Sequence, residues 1–291
     1  MIAVLLAFVV GTWNGNWFPA GRSEYRAEPA VEAARIRAAG HCLAEGLKAV
    51  DPAGTNDVVL VLNEMRDEAV VQKLLESVGR KNLKIAAMTK YRLGDKADEQ
   101  QDVVATTLPV VKSRWARWRY DPNGNPPRGY AFASVVVEPA VTAHVYAVHL
   151  KANGGGKDEA VALTNRLKRA NAIGQFLKIE SKGSVPVLLA GDFNTDCWNA
   201  KFADETLFKD LETAGFTNAL ASLPPKRRRT HVSGMTLDYI MLRATADCGL
   251  VAASPLITPS ASEFSDHFPV FVNVQPAAAP RGTSRARPCR P

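Results

Sequence analysis

The sequence predicts an α/β sandwich in which helices cover β-sheets. Three observations carry this. Short apolar runs rich in β-branched residues recur along the chain, and each ends on a polar residue. Segments with helical periodicity lie between them. Strand and helix therefore alternate through the first two thirds, with strands and loops dominating the rest.

The runs are too short for buried helices and read as core strands. They are Val4–Val10 before "GTWN", Val58–Leu62 before "NE", Val145–Val148 before "HLK" and Val185–Ala190 before "GDFN". Further strands are predicted at Tyr130–Val137, Leu237–Leu242 and Pro269–Val274. Ile36, Leu43, Leu47 and Val50 share one face of a helix ending near Asp51-Pro52, and Val70, Leu74 and Val78 share another before Gly79. A third, longer helix is predicted from near Lys157, with Leu163, Leu167, Ala170 and Leu177 inward and Arg166, Lys168 and Arg169 outward.

With 291 residues and 46% hydrophobic content, the chain has ample material for a core and is not a disordered protein. Residues 1–275 are expected to form the catalytic domain. Residues 276–291, Pro/Ala/Arg-rich and too polar to pack, read as a disordered basic tail. Cys42, Cys197, Cys248 and Cys289 lie far apart without a CxxC pair, so free thiols are the default and zinc is not indicated, while a disulfide stays open.

The net charge of +7 is localised rather than general. Lys226, Arg227, Arg228 and Arg229 form one run, and Arg281, Arg285, Arg287 and Arg290 sit in the tail; without these eight cations the chain carries −1. Residues 112–120, "KSRWARWRY", interleave four cations with three aromatics, the pattern that stacks bases and contacts phosphates, or alternatively an amphipathic edge strand. The "DPNGNPPRG" stretch at 121–129 is turn chemistry and belongs in an exposed loop.

The opening "MIAVLLAFVV" raises the question of export. No cation precedes it and no clear small-x-small site follows, so it makes a poor signal peptide and a good first strand. The chain as written reads as cytoplasmic, or as secreted if a signal preceded Met1. No apolar stretch approaches the roughly 18–20 residues that span a bilayer, and no amphipathic anchor is evident, so stable membrane association is not expected. A monomer is expected.

Polar residues at strand ends are where α/β folds build sites. Here they are Asn14, Glu64, His149, Asp192 and Asn194, joined by Asp238 of "LDY" and by Asp266 and His267 of "SDH". These are the parts of a metal-assisted phosphoester hydrolase, which must neutralise phosphate charge, activate water and stabilise the leaving oxygen. Glu64 is the natural ligand for Mg²⁺. Asp192 can accept a proton while Asn194 can only make hydrogen bonds, and His267 needs a carboxylate partner, for which Asp238 is best placed. His41 and His144 read as structural.

In order, "TWN", "LNEMRD", "VHLKANGGG", "AGDFNTD", "LDYI" and "SDHFPV" resemble the endonuclease/exonuclease/phosphatase family, over about residues 4–274. The resemblance implies a four-layer α/β/β/α sandwich of two packed mixed sheets flanked by helices. It implies that Asn14 and Glu64 form the metal-site pair, with Asp266 as a further ligand directly or through water. His149 resembles the phosphate-contacting or leaving-group histidine, Asp192 the water-activating carboxylate, Asn194 its phosphate-orienting partner, and Asp238 with His267 the family's dyad. Arg128 and Lys151 are candidate substrate contacts.

The "HLKANGGG" segment is similar to bacterial extracellular-nuclease-like members, which makes the source bacterial by resemblance. The amides of Gly154–Gly156 could grip a phosphate, or the segment is a plain turn; it is not a P-loop, because Asp158 follows Lys157 and Lys151 occupies the first glycine position. The leading expectation is a Mg²⁺-dependent nuclease acting on DNA or RNA, with Mn²⁺ or Ca²⁺ as substitutes. The alternatives are a phosphatase or phosphodiesterase for a phospholipid headgroup or phosphorylated small molecule, and a catalytically silent binding member. Asn14, directly after "TW", holds the metal-site position, whereas Asn16 shapes the following turn. Asn14→Ala is accordingly expected to lower metal-dependent kcat/KM far more than Asn16→Ala, and equal losses would overturn the assignment.

Overall fold

The computed structural model describes residues 7–21, 28–139, 141–153, 158–181, 183–245, 249–258 and 265–277. Its strands are β1 (Phe8–Phe18), β2 (Asp57–Met65), β3 (Lys84–Met88), β4 (Arg92–Leu93), β5 (Lys96–Ala97), β6 (Gln101–Thr106) and β7 (Val110–Arg117) in the first half of the chain. The second half adds β8 (Gly129–Glu138), β9 (Val141–His149), β10 (Val187–Asp192), β11 (Phe216–Asn218), β12 (Asp238–Arg243), β13 (Gly249–Ile257) and β14 (Val270–Ala277). The helices are α1 (Pro29–Val50), α2 (Glu68–Val78), α3 (Glu159–Glu180) and α4 (Leu207–Thr213).

Twelve strands form two six-stranded mixed sheets, ordered β13-β14-β1-β2-β6-β3 and β11-β12-β10-β9-β8-β7. They pack face to face. Along β1, Phe8 and Val10 enter the layer between the sheets, where they join Ala131, Val145 and Leu188 of the second sheet. Val9 and Trp13 point the other way, into a second core with Leu43 and Leu47 of α1 and Leu74 of α2. Both faces of the strand are thus buried, which is why the opening run lacks the polar alternation of a surface strand. On the far side, Ile173 and Phe176 of α3 cover the second sheet, with Phe176 edge-on to Tyr146. Four layers result, as the resemblance implies.

The helix ends follow their capping residues. Asp67 accepts from the Val70 amide at 2.8 Å, and Gly79 closes α2 in the left-handed region. Asp158 accepts from the Ala160 and Val161 amides at the start of α3.

The inward face predicted for α3 holds at Leu177, which packs against the core, but fails at Leu163, Leu167 and Arg169. Leu163 and Leu167 are 49% and 45% exposed, while Arg169 is fully buried. Arg169 can be inside because its guanidinium is satisfied there, by Glu205 and by the Lys151 carbonyl at 2.8 Å. The leucines instead border a groove against Leu207 of α4. The basic-aromatic segment splits between its two readings: Val110–Arg117 is the edge strand of the second sheet, and Trp118 belongs to the core, yet Tyr120 is 75% exposed. Residues 121–128 form a loop with a turn at Pro122-Asn123, as expected, but it is only partly exposed, because Gly124 and Pro126 are buried, and Gly129 already opens β8. Residues 1–6 of the opening run, the Gly154–Gly156 segment with Lys157, Cys248 and the tail from 278 lie outside the described residues.

His144 is structural as read. With Tyr146 and Arg243 it surrounds the Glu180 carboxylate. Burial acts to raise the Glu180 pKa, but the hydrogen bonds from His144 and Tyr146 and the charges of His144 and Arg243 outweigh it and hold it below its ordinary value. A depressed folded-state pKa contributes stability above the unfolded value that is lost as pH falls. Glu180→Gln is therefore expected to lower unfolding free energy at pH 7 by about 1–3 kcal/mol. In urea titrations the gap to wild type should close as pH drops below about 4.3, the unfolded glutamate value.

Candidate active site

Hydrogen-bond register, not loop placement, assembles the site. In the second sheet Asp192 pairs with His149 on one side and with Asp238 on the other, so three side chains share one rung across β9, β10 and β12. In the first sheet Asn14 pairs with Asn63, and Glu64 follows. These ends of the two sheets meet, and all six side chains are buried.

Asn14 bridges the sheets. Its Nδ2 donates to Glu64 Oε1 at 3.1 Å and to Asp192 Oδ2 at 2.9 Å, while its Oδ1 accepts from the Asn16 amide. Glu64, with φ 59°, is held on its other oxygen by the Trp17 amide and by Gln100 Nε2 at 2.8 Å. A residue other than glycine held at positive φ is sustained only by such over-determination. His149 Nε2 sits 3.6 Å from Glu64 Oε1 and 3.5 Å from Asp192 Oδ2. Burial, with the Arg128, His267 and Lys151 charges, keeps the His149 pKa well below its ordinary value, so the ring is neutral.

The Asp238–His267 dyad is present, with Nδ1 to Oδ2 at 2.8 Å. Burial acts to lower the His267 pKa, but the Asp238 and Asp192 charges raise it, so the ring is protonated. His267 Nε2 lies 3.8 Å from Asp192 Oδ2. Asp192 itself is pushed up by burial. Asn194, two residues further on, has φ 53° and gives both amide donors to protein, one to Asp192 Oδ2 at 2.9 Å and one to the Leu150 carbonyl at 3.2 Å. Asn194 thus grips the carboxylate instead of facing outward beside it.

Asp266 stands apart from the other expected ligands. Its Oδ2 pairs with His231 Nε2 at 3.2 Å and its Oδ1 lies 3.9 Å from His267 Nε2. Arg128, at φ 63°, hydrogen-bonds Gln100 and so reaches Glu64 through one side chain. Lys151 is half-buried beside Arg128 in an adjoining cavity. Of the 226–229 run, Arg228 donates to the Leu223 and Ala221 carbonyls and Arg229 to those of His231 and Val232, which ties these two cations to their own loop.

Several residues were missed by sequence reading. Asn63, Gln100, Asp102, Tyr91 and His231 all contact the site or its supports. Asn63 stands next to Glu64 in "LNEM" and could have been singled out on that ground. Gln100 and Asp102 precede and open a strand without local signal, and only their pairing with β2 places them here. Asp102 is fully buried, and burial pushes its pKa up to about 7 against the Asn63 hydrogen bond and the Arg128 charge.

The donor set suits a hard divalent cation. Two buried carboxylates, Glu64 and Asp192, converge on one neutral amide and leave their negative charge uncompensated by any cation in direct contact among the described residues except the shared His267. The carboxylate oxygens of Glu64 and Asp192 fit such an ion, whereas the Asn14 group lying between them is its Nδ2 donor, the amide oxygen being turned to the Asn16 amide. The Asp192, Asp238 and His267 ligand atoms also lie within 4.8 Å of one another, but a protonated His267 has no free nitrogen lone pair to offer an ion there.

Two packed mixed sheets with buried carboxylates, amides and a carboxylate-histidine dyad at their shared end define a phosphoester hydrolase. A family model described as "Endonuclease/Exonuclease/phosphatase family" matches residues 11–267, and the chain belongs to that family. No curated protein matched. Among solved structures, an endonuclease/exonuclease/phosphatase from Beutenbergia cavernae DSM 12333 superposes with TM-score 0.65 at 18% identity, covering 95% of this chain and 73% of its own. Sphingomyelinase C from Streptomyces griseocarneus gives 0.56 at 18% identity, over 92% and 99%. The human Nocturnin catalytic domain with bound sulfate anion gives 0.60 at 16% identity, over 94% of each chain. These likenesses carry the fold; the family's members are hydrolases of phosphoester bonds that generally use divalent metals.

Gly191 is the backbone condition for the rung. At φ 137°, a Cβ there would fall 1.9 Å from the Val148 carbonyl oxygen and 3.0 Å from Asn63 Oδ1. Gly191→Ala is expected to cost about 3 kcal/mol or more in urea unfolding. Gly21→Ala, strained at φ 93° but with open space around it, should cost only about 1 kcal/mol.

Proposed function

We propose that the protein is a Mg²⁺-dependent nuclease that hydrolyses phosphodiester bonds of DNA or RNA. The observation that carries the reading is the rung of His149, Asp192 and Asp238, capped by His267 and faced by Asn14 and Glu64 across the sheet boundary.

Each side chain supports one task. Asp192, raised toward the working pH by burial, accepts the proton of the attacking water as the water oxygen bonds to phosphorus. Asn14 and Asn194 hold its carboxylate in place by three hydrogen bonds, including one from the Asn194 backbone amide. His267, kept protonated and oriented by Asp238, donates through Nε2 to the phosphoryl oxygens as the bond to the leaving oxygen breaks. Neutral His149 offers its Nε2 at the same centre and contacts the phosphate. Glu64 would hold Mg²⁺, with the Asn14 amide turned over so that its oxygen faces the ion, and the metal would supply charge neutralisation for the phosphate and the leaving oxygen.

A polymeric substrate is supported by the surface beside the site. Exposed Trp115 and Arg117 share one face of β7 beside the Tyr91 ring, which sets an aromatic surface and a cation together, while Arg114 lies on the opposite face over Tyr130 and Phe132. The test uses end-labelled single- and double-stranded DNA and RNA together with bis(p-nitrophenyl) phosphate. EDTA should abolish hydrolysis and Mg²⁺ restore it. Asp192→Asn and His267→Ala should each lower kcat by about 10²–10⁴-fold. Polymer cleavage should fall steeply with salt while the small diester does not. Equal rates on both without salt dependence would remove the nucleic-acid assignment, and release of phosphocholine from sphingomyelin vesicles would replace it with a lipid one.

A further inference from the structure

Beside the carboxylates lies a cavity of about 400 Å³ whose walls are cationic. Arg92, Arg117, Arg128, Lys151 and Lys168 line it, against one carboxylate, Asp98. None of these five cations forms an ion pair with a carboxylate among the described residues. Arg92 donates to the Asp95 carbonyl, Arg117 to the Arg92 carbonyl while stacking on the Tyr91 ring, and Arg128 to Gln100. These hydrogen-bond partners are neutral, although Arg128 also acts by charge on the buried Asp102, whose pKa it lowers.

Like charges lining one cavity repel one another, least at the exposed Arg92 and Arg117 and most at the half-buried Arg128, Lys151 and Lys168, and an anion lodged there relieves that repulsion. Lys151 registers this: burial first, then the Arg128, Lys168 and Arg169 charges, lower its pKa. Elsewhere the chain neutralises its semi-buried cations, as Glu205 does for Arg169 and Asp51 for Arg80. Around this cavity it does not.

The cavity adjoins the reacting centre without containing it. Lys151 follows His149 by two residues, and Arg128 reaches Glu64 through Gln100. Neither Glu64 nor Asp192 lines it. An anion lodged there is not the phosphorus under attack.

We propose that this cavity is a binding site for a second, non-scissile phosphate, so that the enzyme selects phosphodiesters carrying a further phosphate on the adjoining nucleotide. The inference rests on the reading of the neighbouring site as a phosphodiesterase. It makes the preferred substrate a strand or a phosphorylated dinucleotide, and a bare diester a poor one.

The test compares kcat/KM for thymidine dinucleotides that are 5′-phosphorylated, 3′-phosphorylated or unphosphorylated. Wild type should favour one phosphorylated form by about tenfold or more, the increment of a charge-assisted contact, and which form is favoured reports the strand direction. Arg117→Gln combined with Lys168→Gln should bring that ratio close to one. Lys73→Gln with Lys209→Gln, which removes the same charge from α2 and α4, should leave the ratio as in wild type. A second measurement needs no turnover: calorimetric binding of thymidine 3′,5′-bisphosphate in EDTA should weaken about tenfold in the Arg117/Lys168 variant and not in the Lys73/Lys209 variant. A wild-type ratio near one, or bisphosphate binding equally weakened by both pairs, overturns the proposal. If no diester is hydrolysed at all, the phosphodiesterase reading fails instead, and the binding measurement alone decides whether the cavity holds phosphate.

Discussion

The site depends on one buried amide, that of Asn63. Its Oδ1 accepts the Asp192 backbone N–H at 3.1 Å, and its Nδ2 donates to Asp102 Oδ1 at 2.7 Å and to the Val148 carbonyl at 3.1 Å. One side chain on β2 thereby joins β6 of its own sheet to β9 and β10 of the other. A buried donor or acceptor left unpaired costs about 1–3 kcal/mol, so any relative slip of the sheets at this end breaks several such groups at once. Glu64, the next residue along β2, is held opposite Asp192 as a consequence.

Charge then follows geometry. Packing Glu64, Asp102, Asp192 and Asp238 into one buried region demands compensation, and burial raises the pKa of Asp102 and Asp192. The chain compensates with amides and one protonated histidine instead of buried lysine or arginine. Asn14, Asn63, Asn194 and Gln100 orient the carboxylates without neutralising them, which preserves a negative site suited to a divalent cation. The strong cations are kept one layer out, in the cavity that Arg128 and Lys151 share. Negative centre and positive flank are complementary to a phosphoester with its metal.

Much of this was legible because catalytic side chains in α/β folds sit where apolar strands end. Val58–Leu62 and Val185–Ala190 could be read as strands from their β-branched composition, so Glu64, Asp192 and Asn194 followed as strand-end polar groups. The Asp238–His267 pair was anticipated from the chemistry a histidine needs. The face of α3 was misread because periodicity treats arginine as outward, whereas Arg169 meets Glu205, a residue 36 positions away. The 226–229 run suggested free cations, but two of its guanidinium groups bond the carbonyls of their own loop.

By itself the sequence determined the α/β sandwich class, the strands that end at the site and the candidate carboxylates and dyad, because these rest on local composition and residue chemistry, while the two-sheet arrangement was implied by the resemblance of its motifs. Only the tertiary structure decided which atoms face one another. Register set His149, Asp192 and Asp238 on a single rung, sheet packing brought Asn14 between two carboxylates, and the fold gathered Arg92, Arg117, Arg128, Lys151 and Lys168 around one cavity. Those relations span up to 178 positions of chain, and hydrogen-bond pairing across strands, invisible to any local pattern, is what creates them.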